Sequence, residues 1–253
     1  MALFTDGPIS TIDELLAFDS QLLQTAGAEG IDVTRKAALA QDDIALSLTA
    51  QLQKMLFGEG SGRPERRLEQ VVVTPALKRW HICHTLEAVY ADAYNSQLND
   101  RYAGKRDQFH LLAVEARMRL GEIGIGVVFD PLPQAGRPAA AAGSGASLAA
   151  GTYFVTAAWT NRAGEEGASA SPADITLAGG TFRVTPTNPP ANATGWNVYV
   201  GRTPDQMFLQ NQSPLATVTV WLQPGAPAAS GQSAGSGQAP NCLQPVPNVI
   251  QRG

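Results

Sequence analysis

One stretch limits what this chain can fold into more than any other. It is Val73–Leu120, VTPALKRWHICHTLEAVYADAYNSQLNDRYAGKRDQFHLLAVEARMRL. Pro75 suits a first helical turn, where its missing N–H costs nothing. Leu77, Trp80 and His84, then Ile82, Leu86 and Val89, recur at three- and four-residue steps, the period of a helix. Asn95–Asp100 is polar and breaks the pattern, so a turn is expected there. A second helix then carries Tyr102, Phe109, Leu112, Ala113, Ala116 and Leu120 on one stripe. Each helix runs for roughly 20 residues, about 30 Å. Neither can bury its stripe alone, so the two are predicted to pack on each other and on the helices before them.

The 253 residues exceed one typical domain. Residues 1–130 hold 13 Lys and Arg against 18 Asp and Glu, whereas residues 131–253 hold 5 against 4 and contain no Lys or His. A charged, helix-forming half is thus joined to a Gly-, Pro-, Thr- and Ala-rich half. The acidic balance argues against a DNA-gripping surface, which needs clustered cations. No basic region followed by an apolar run opens the chain, so no secretory leader is expected. No apolar run approaches the length of a membrane helix. Cys83 and Cys242 fall in different modules and are expected as free thiols of a reducing compartment.

Along the first half, Gly7-Pro8 marks a turn. Thr11-Ile12-Asp13-Glu14 matches a capping box and predicts a helix burying Leu15, Phe18 and Leu22 or Leu23, ended by Gly27–Gly30. Asp32 or Thr34 can cap the next helix, which runs through Leu39, Ile44, Leu48, Leu52, Met55 and Leu56 and stops at Gly58. Residues 58–67, GEGSGRPERR, read as a solvated loop. Ile123–Phe129 is a short apolar run, expected as a strand or extended exit. Its glycines do not form a dinucleotide-binding fingerprint.

Residues 131–150, PLPQAGRPAAAAGSGASLAA, read as a linker by composition. From Gly151 apolar and polar residues alternate: Tyr153, Val155, Ala157; Ile175, Leu177; Phe182, Val184; Trp196, Val198, Val200; then Leu215, Val218, Val220 and Trp221. Period-two runs separated by turn signals mark a β-sandwich over residues 151–223. Residues 224–253 read as a flexible tail. Within it Leu243, Val246, Val249 and Ile250 form a spaced apolar arm, kept extended by Pro245 and Pro247 and suited to strand addition on a partner. The predicted fold class is α+β multidomain: an all-α bundle of about four helices over residues 1–130, the linker, an all-β sandwich and the extended arm.

Few residues suggest chemistry. His81, His84 and Glu87 share roughly one helix face, and His110 could join them from the neighbouring helix. Such a set can bind Zn²⁺ or Fe²⁺, but two packed or half-exposed histidines explain it as well, and no cofactor or metal is assigned. No nucleophile elbow is present, and all histidines lie in the helical half, so the chain is expected not to be an enzyme. The aromatic residues Trp159, Trp196 and Tyr199 admit two readings, sandwich core or a face for glycans or a protein partner.

LKRWHICHTLEAVYADAYNSQLNDRYAGKRDQFHLLAVEARMRL resembles the core helices of head–tail adaptor (connector, or neck) proteins of tailed bacteriophages. TIDELLAFD and Ile44–Thr49 fit the same plan, and the resemblance covers roughly residues 1–130. GTYFVTAAWTNRAGEEGASASP and ATGWNVYVGRTPDQ resemble strands of immunoglobulin-like or fibronectin III-like phage domains. The resemblance implies a structural virion protein at the head–tail junction, made in the host cytoplasm. It implies a homo-oligomeric ring, a dodecamer, bound to the portal protein and to downstream neck or tail proteins. DNA would pass through the channel without specific binding, and no membrane is involved. The arm Leu243, Val246, Val249 and Ile250 would dock on the portal. A carbohydrate-binding or adhesion accessory protein acting through the sandwich is the alternative.

Overall fold

The computed structural model describes residues 1–57, 66–96 and 100–246, with the backbone alone at 54–57, 146 and 147. An N-terminal helical region is followed by β-sheets, an α+β architecture in two parts. The helices are α1 (Ile12–Phe18), α2 (Leu22–Glu29), α3 (Val33–Phe57), α4 (Pro75–Ser96) and α5 (Ala103–Ile123). The strands are β1 (Ile125–Val127), β2 (Ala139–Leu148), β3 (Gly151–Thr160), β4 (Ala173–Leu177), β5 (Gly180–Thr185), β6 (Gly195–Thr203), β7 (Gln206–Leu209), β8 (Trp221–Leu222) and β9 (Cys242–Gln244). The chain forms two compact units: Gly7–Val127 with the C-terminal stretch from Pro240, and Val128–Ala239 with Met1–Asp6.

In the helical unit α4 is central and packs against α1, α2, α3 and α5. Its burial follows from its sequence: Leu77, Trp80, Ile82, Leu86, Val89 and Tyr90 leave few turns without an apolar residue, and a helix apolar on most sides is a buried one. The core joins Leu15 and Leu22 to Leu86, Val89, Tyr90 and Phe109. The rings of Tyr90 and Phe109 stack at 5.4 Å, the offset geometry aromatic pairs favour.

The capping box forms as the sequence predicts. The Glu14 amide donates to Thr11 Oγ1, and the Thr11 amide donates to Glu14 Oε2 at 2.9 Å. The helix it starts is shorter than predicted, because Asp19 is extended and separates α1 from α2. Leu15 and Leu22 are buried, whereas Phe18 and Leu23 are exposed. The break aims the Asp19 carboxylate inward, where it accepts from Tyr90 Oη at 2.5 Å and from Lys105 Nζ at 2.6 Å. Its other oxygen accepts the Gln21 amide at 3.1 Å. A local pattern read from apolar spacing alone does not see such a carboxylate bridge.

The second unit is a β-sandwich. One sheet has the order β2-β5-β8, the other β4-β3-β6-β7. Their facing sides share one core, with Tyr153, Val155 and Trp159 of β3, Phe182 and Val184 of β5, Trp196, Val198 and Val200 of β6, and Trp221 of β8. These are the inward members of the alternation, as a period of two requires. Of the predicted last strand, only Trp221–Leu222 pairs as β8, while Leu215 makes an isolated bridge to Trp196.

Two segments depart from their composition. The expected linker over residues 131–150 contains β2, paired antiparallel to β5 from Ala139↔Thr185 to Gly143↔Thr181. Backbone pairing needs no large side chains, and the partner strand supplies Phe182 and Val184. The expected flexible tail is also engaged. The Leu209 amide donates to Gln232 O at 2.9 Å and the Ala234 amide to Met207 O, so the tail continues the larger sheet beyond β7. Gln238, buried, accepts the Leu132 amide at 2.6 Å and donates to Glu165. Met1–Asp6 also belongs to this unit rather than to the helices, with Leu3 and Phe4 buried and the Gln134 amide on Asp6 Oδ1 at 2.8 Å.

After the sandwich the chain returns to the helical unit. β9 pairs antiparallel with β1, and Val71 bridges Val127 on the other side. Gly124 makes the approach possible: it holds φ +99° and a Cβ there would lie 2.9 Å from Gln244 O, a conformation and a clearance only glycine meets.

Candidate functional site

The helical unit carries a groove of about 470 Å³. Its lining comes from Asp43, Leu46 and Ser47 of α3, from Trp80, His84 and Glu87 of α4, and from His110, Ala113, Val114 and Arg117 of α5. Within each helix the lining falls on one side, as at Trp80, His84 and Glu87 of α4 or His110, Val114 and Arg117 of α5, three or four residues apart. On α5 this stripe meets the core stripe Phe109, Ala113, Ala116 and Leu120 at Ala113, which borders both.

Glu87 organises the polar part. Its Oε2 lies 3.1 Å from His84 Nδ1 and its Oε1 lies 2.6 Å from His110 Nδ1. His84 Nε2 faces Asp43 Oδ2 at 3.4 Å. Arg117 lies over the Trp80 ring, 5.8 Å from its centroid, a cation–π contact. Leu46 and Val114 are apolar and exposed. The groove therefore combines two carboxylates with apolar walls.

His81 is not part of this set. Ser10 Oγ donates to its Nδ1 at 2.8 Å, and its Nε2 donates to Ala37 O at 3.0 Å. Acceptance by a carbonyl fixes the ring as the Nε2–H tautomer. Burial holds His81 below the usual histidine range, against the opposing effect of the Ala37 carbonyl. The metal-type set foreseen on α4 is thus divided between the core and the groove. Among the described residues no group of three or more His, Cys, Asp or Glu side chains is set to hold a metal ion. Cys83 is buried and burial pushes its thiol up, the behaviour of an inert core cysteine.

The aromatic residues weighed as a glycan or partner face are buried. Trp159 and Trp196 pair across β3 and β6 and face the sandwich core. Tyr199 lies on the other side of β6, beneath the tail, packed with Ala158 and Met207 and with Ala234 of the tail. Its hydroxyl donates to Glu166 at 2.7 Å, and Asn197 Nδ2 donates to the same carboxylate at 2.6 Å. Burial first, and Glu166 second, push the Tyr199 hydroxyl far up. Glu165 and Glu166 are thus structural anchors, each bound to a different strand or tail segment.

Of the arm, Leu243 lies in β9, opposite Gly126. The Val246 amide approaches Gly121 O on α5 at 3.4 Å. The segment from 242 to 246 is therefore held by its own chain rather than presented free. Val249 and Ile250 lie outside the described residues. Asp43, Leu46, Val114 and Arg117 were not foreseen as site residues. The signal for the α5 members was a second i, i+4, i+7 stripe at His110, Val114 and Arg117, overlaid on the core stripe.

Among the described residues no helix is long and apolar enough to cross a membrane. A scan against protein-family models finds no match to this chain, and a search of curated proteins finds none either.

Proposed function

We propose that this chain is a structural protein of a tailed-phage particle, a head–tail adaptor that forms a ring under the portal and extends the DNA channel. The observation that carries the reading is on α5. Leu111 and Met118, two helical turns apart, are 68% and 63% exposed. Large apolar side chains spaced in this way on a helix that already has a core stripe suit a second helix packed alongside. Leu39 of α3 is also open to solvent. Repetition of one such contact around a rotation axis closes a ring.

Charge fits the same role. Residues 1–130 carry five more acidic than basic side chains, and a wall of that sign lets a phosphate backbone slide without adhering. The sandwich would contact neighbouring virion proteins. Trp159, Trp196 and Tyr199 are all buried, which supports this reading over carbohydrate binding through those side chains. The test is copy number against the portal protein in purified particles, by quantitative mass spectrometry. A near one-to-one ratio supports the adaptor, whereas absence from the particle removes it.

A further inference from the structure

We infer that residues 224–237 form a releasable strap: they leave the edge of β7 as one unit while the sandwich stays folded, and so hold that edge in either a covered or a bare state. The inference does not depend on the adaptor reading.

The two ends of the segment are fixed. Gln223 is buried, and its amide donates to Phe182 O at 3.0 Å, which extends the pairing of β8 with β5. Gln238 is buried as well. It accepts the Leu132 amide at 2.6 Å and donates to Glu165 at 2.8 Å and to Asp130 O at 3.0 Å. Between these two glutamines no side chain is buried. The segment reads PGAPAASGQSAGSG, without a charge and with nothing apolar larger than proline. Burial of apolar surface, the main force that holds an element in place, therefore contributes little here. Its glycines also lose the most backbone freedom when they are ordered.

What holds the strap is main-chain pairing. The Leu209 amide donates to Gln232 O at 2.9 Å and the Ala234 amide to Met207 O at 3.3 Å, on either side of the facing pair Phe208 and Ser233. Ser169 donates to Gly235 O from its amide at 3.2 Å and from its hydroxyl at 2.8 Å. Such bonds give little net stability each, since water replaces them on release. The core shared by the two sheets, with Trp196, Val198 and Val200 of β6, contains no strap residue. Opening the strap thus sacrifices few buried contacts, whereas unfolding the sandwich exposes all of them. Openings of that kind occur well below the energy of global unfolding. With both ends pinned, the strap recloses as a loop and does not diffuse away.

Release has a chemical consequence. Under the strap Tyr199 packs with Ala158 and Met207, and Gln232 Nε2 donates to its hydroxyl at 3.4 Å. A bare β7 presents the Leu209 amide and the Met207 carbonyl beside that apolar cluster. Those are the groups through which an extended segment adds to a sheet.

The experiment is residue-resolved amide hydrogen exchange by NMR in the full chain, across a urea series below the unfolding transition. Neighbouring amides point opposite ways and serve as paired controls. Leu209 and Ser169 donate to the strap, whereas Gln210 donates to Val198 O of β6 and Ala170 to Ala157 O of β3. The expected result is that Leu209, Ser169 and Ala234 share one protection factor, more than an order of magnitude below that of Gln210 and Ala170, with little dependence on urea. Phe208→Cys with Ser233→Cys, plus Cys242→Ser to remove a competing thiol, adds a lock, since such a facing pair lies within disulfide reach. Oxidation of this variant should raise the protection of the three amides to that of their neighbours, and reduction should restore the difference. If Leu209 and Ser169 are as protected as Gln210 and Ala170, with the same urea dependence, the strap opens only when the sandwich unfolds and the inference is overturned. Fast exchange that oxidation does not slow would overturn it too, because β7 itself would then be fraying.

Discussion

Replacing Asp19 with Ala should destabilise the helical unit by about 2–4 kcal/mol, through loss of one carboxylate that joins three elements. The Asp19 side chain is 4% exposed. It accepts from Tyr90 Oη at 2.5 Å, from Lys105 Nζ at 2.6 Å and from the Gln21 amide at 3.1 Å, at the start of α2. Tyr90 is buried, so its hydroxyl would lose its carboxylate acceptor, at a cost of about 1–3 kcal/mol. The lost bond to the Gln21 amide, a local turn of the chain just before α2, adds about 1 kcal/mol, the usual net worth of a hydrogen bond. Lys105 is 36% exposed and can rehydrate, so its share is small, well under the value for a fully buried pair. The assay is urea unfolding followed by far-ultraviolet circular dichroism, which reports the helices. Asp19→Asn, which keeps the shape, should cost roughly half as much. The pH dependence gives an independent check. Burial pushes the Asp19 carboxyl up, but the bonds from Lys105, Tyr90 and the Gln21 amide outweigh it and leave it below the usual range. A depressed folded value means stabilisation that is complete above the unfolded value of about 3.9 and lost as pH falls through the folded one. The gap between wild type and Asp19→Asn should therefore close at acid pH. A change under about 0.5 kcal/mol for Asp19→Ala, the scale of an ordinary surface substitution, would refute the reasoning.

Three further outcomes are expected. Burial lowers the His81 value, so its contribution is complete above the unfolded value of about 6.5 and declines as pH falls below it; His81→Gln should flatten the stability curve below about pH 6.5. Trp196→Ala removes the centre of the sandwich core and should cost about 3–5 kcal/mol, seen as loss of near-ultraviolet dichroism while the helical signal persists. Met118→Asp with Leu111→Asp should leave dichroism unchanged and reduce self-association measured by sedimentation, since both side chains are solvent-exposed.

The helical unit was legible because its signals are local. A capping box, a proline at the first turn of α4 and three- and four-residue apolar steps need no partner to be read. Asp19 was not legible as a break, since its reason is Tyr90 and Lys105, far away in sequence. The sandwich followed from strict alternation in β3, β5 and β6. β2 did not, because Ala139–Gly143 has no pattern of its own and takes its structure from the register with β5. The tail was misread for the same reason: Gln232, Ala234 and Gln238 are ordered by the edge of β7 and by Glu165, not by bulk. The tryptophans illustrate the limit of composition, since a sugar platform and a sandwich core use the same residues, and only their side of the sheet decides. The groove combines both situations, with a helical stripe that was visible on α5 and an α3 wall that was not.

The most direct test of the central claim is a cryo-EM reconstruction of the particle neck. The account predicts a closed ring of this chain against the portal, with Leu111 and Met118 in contacts between adjacent copies. A neck whose density contains no copy of the α4–α5 pair, or a ring in which that face of α5 lies open to solvent, would contradict it.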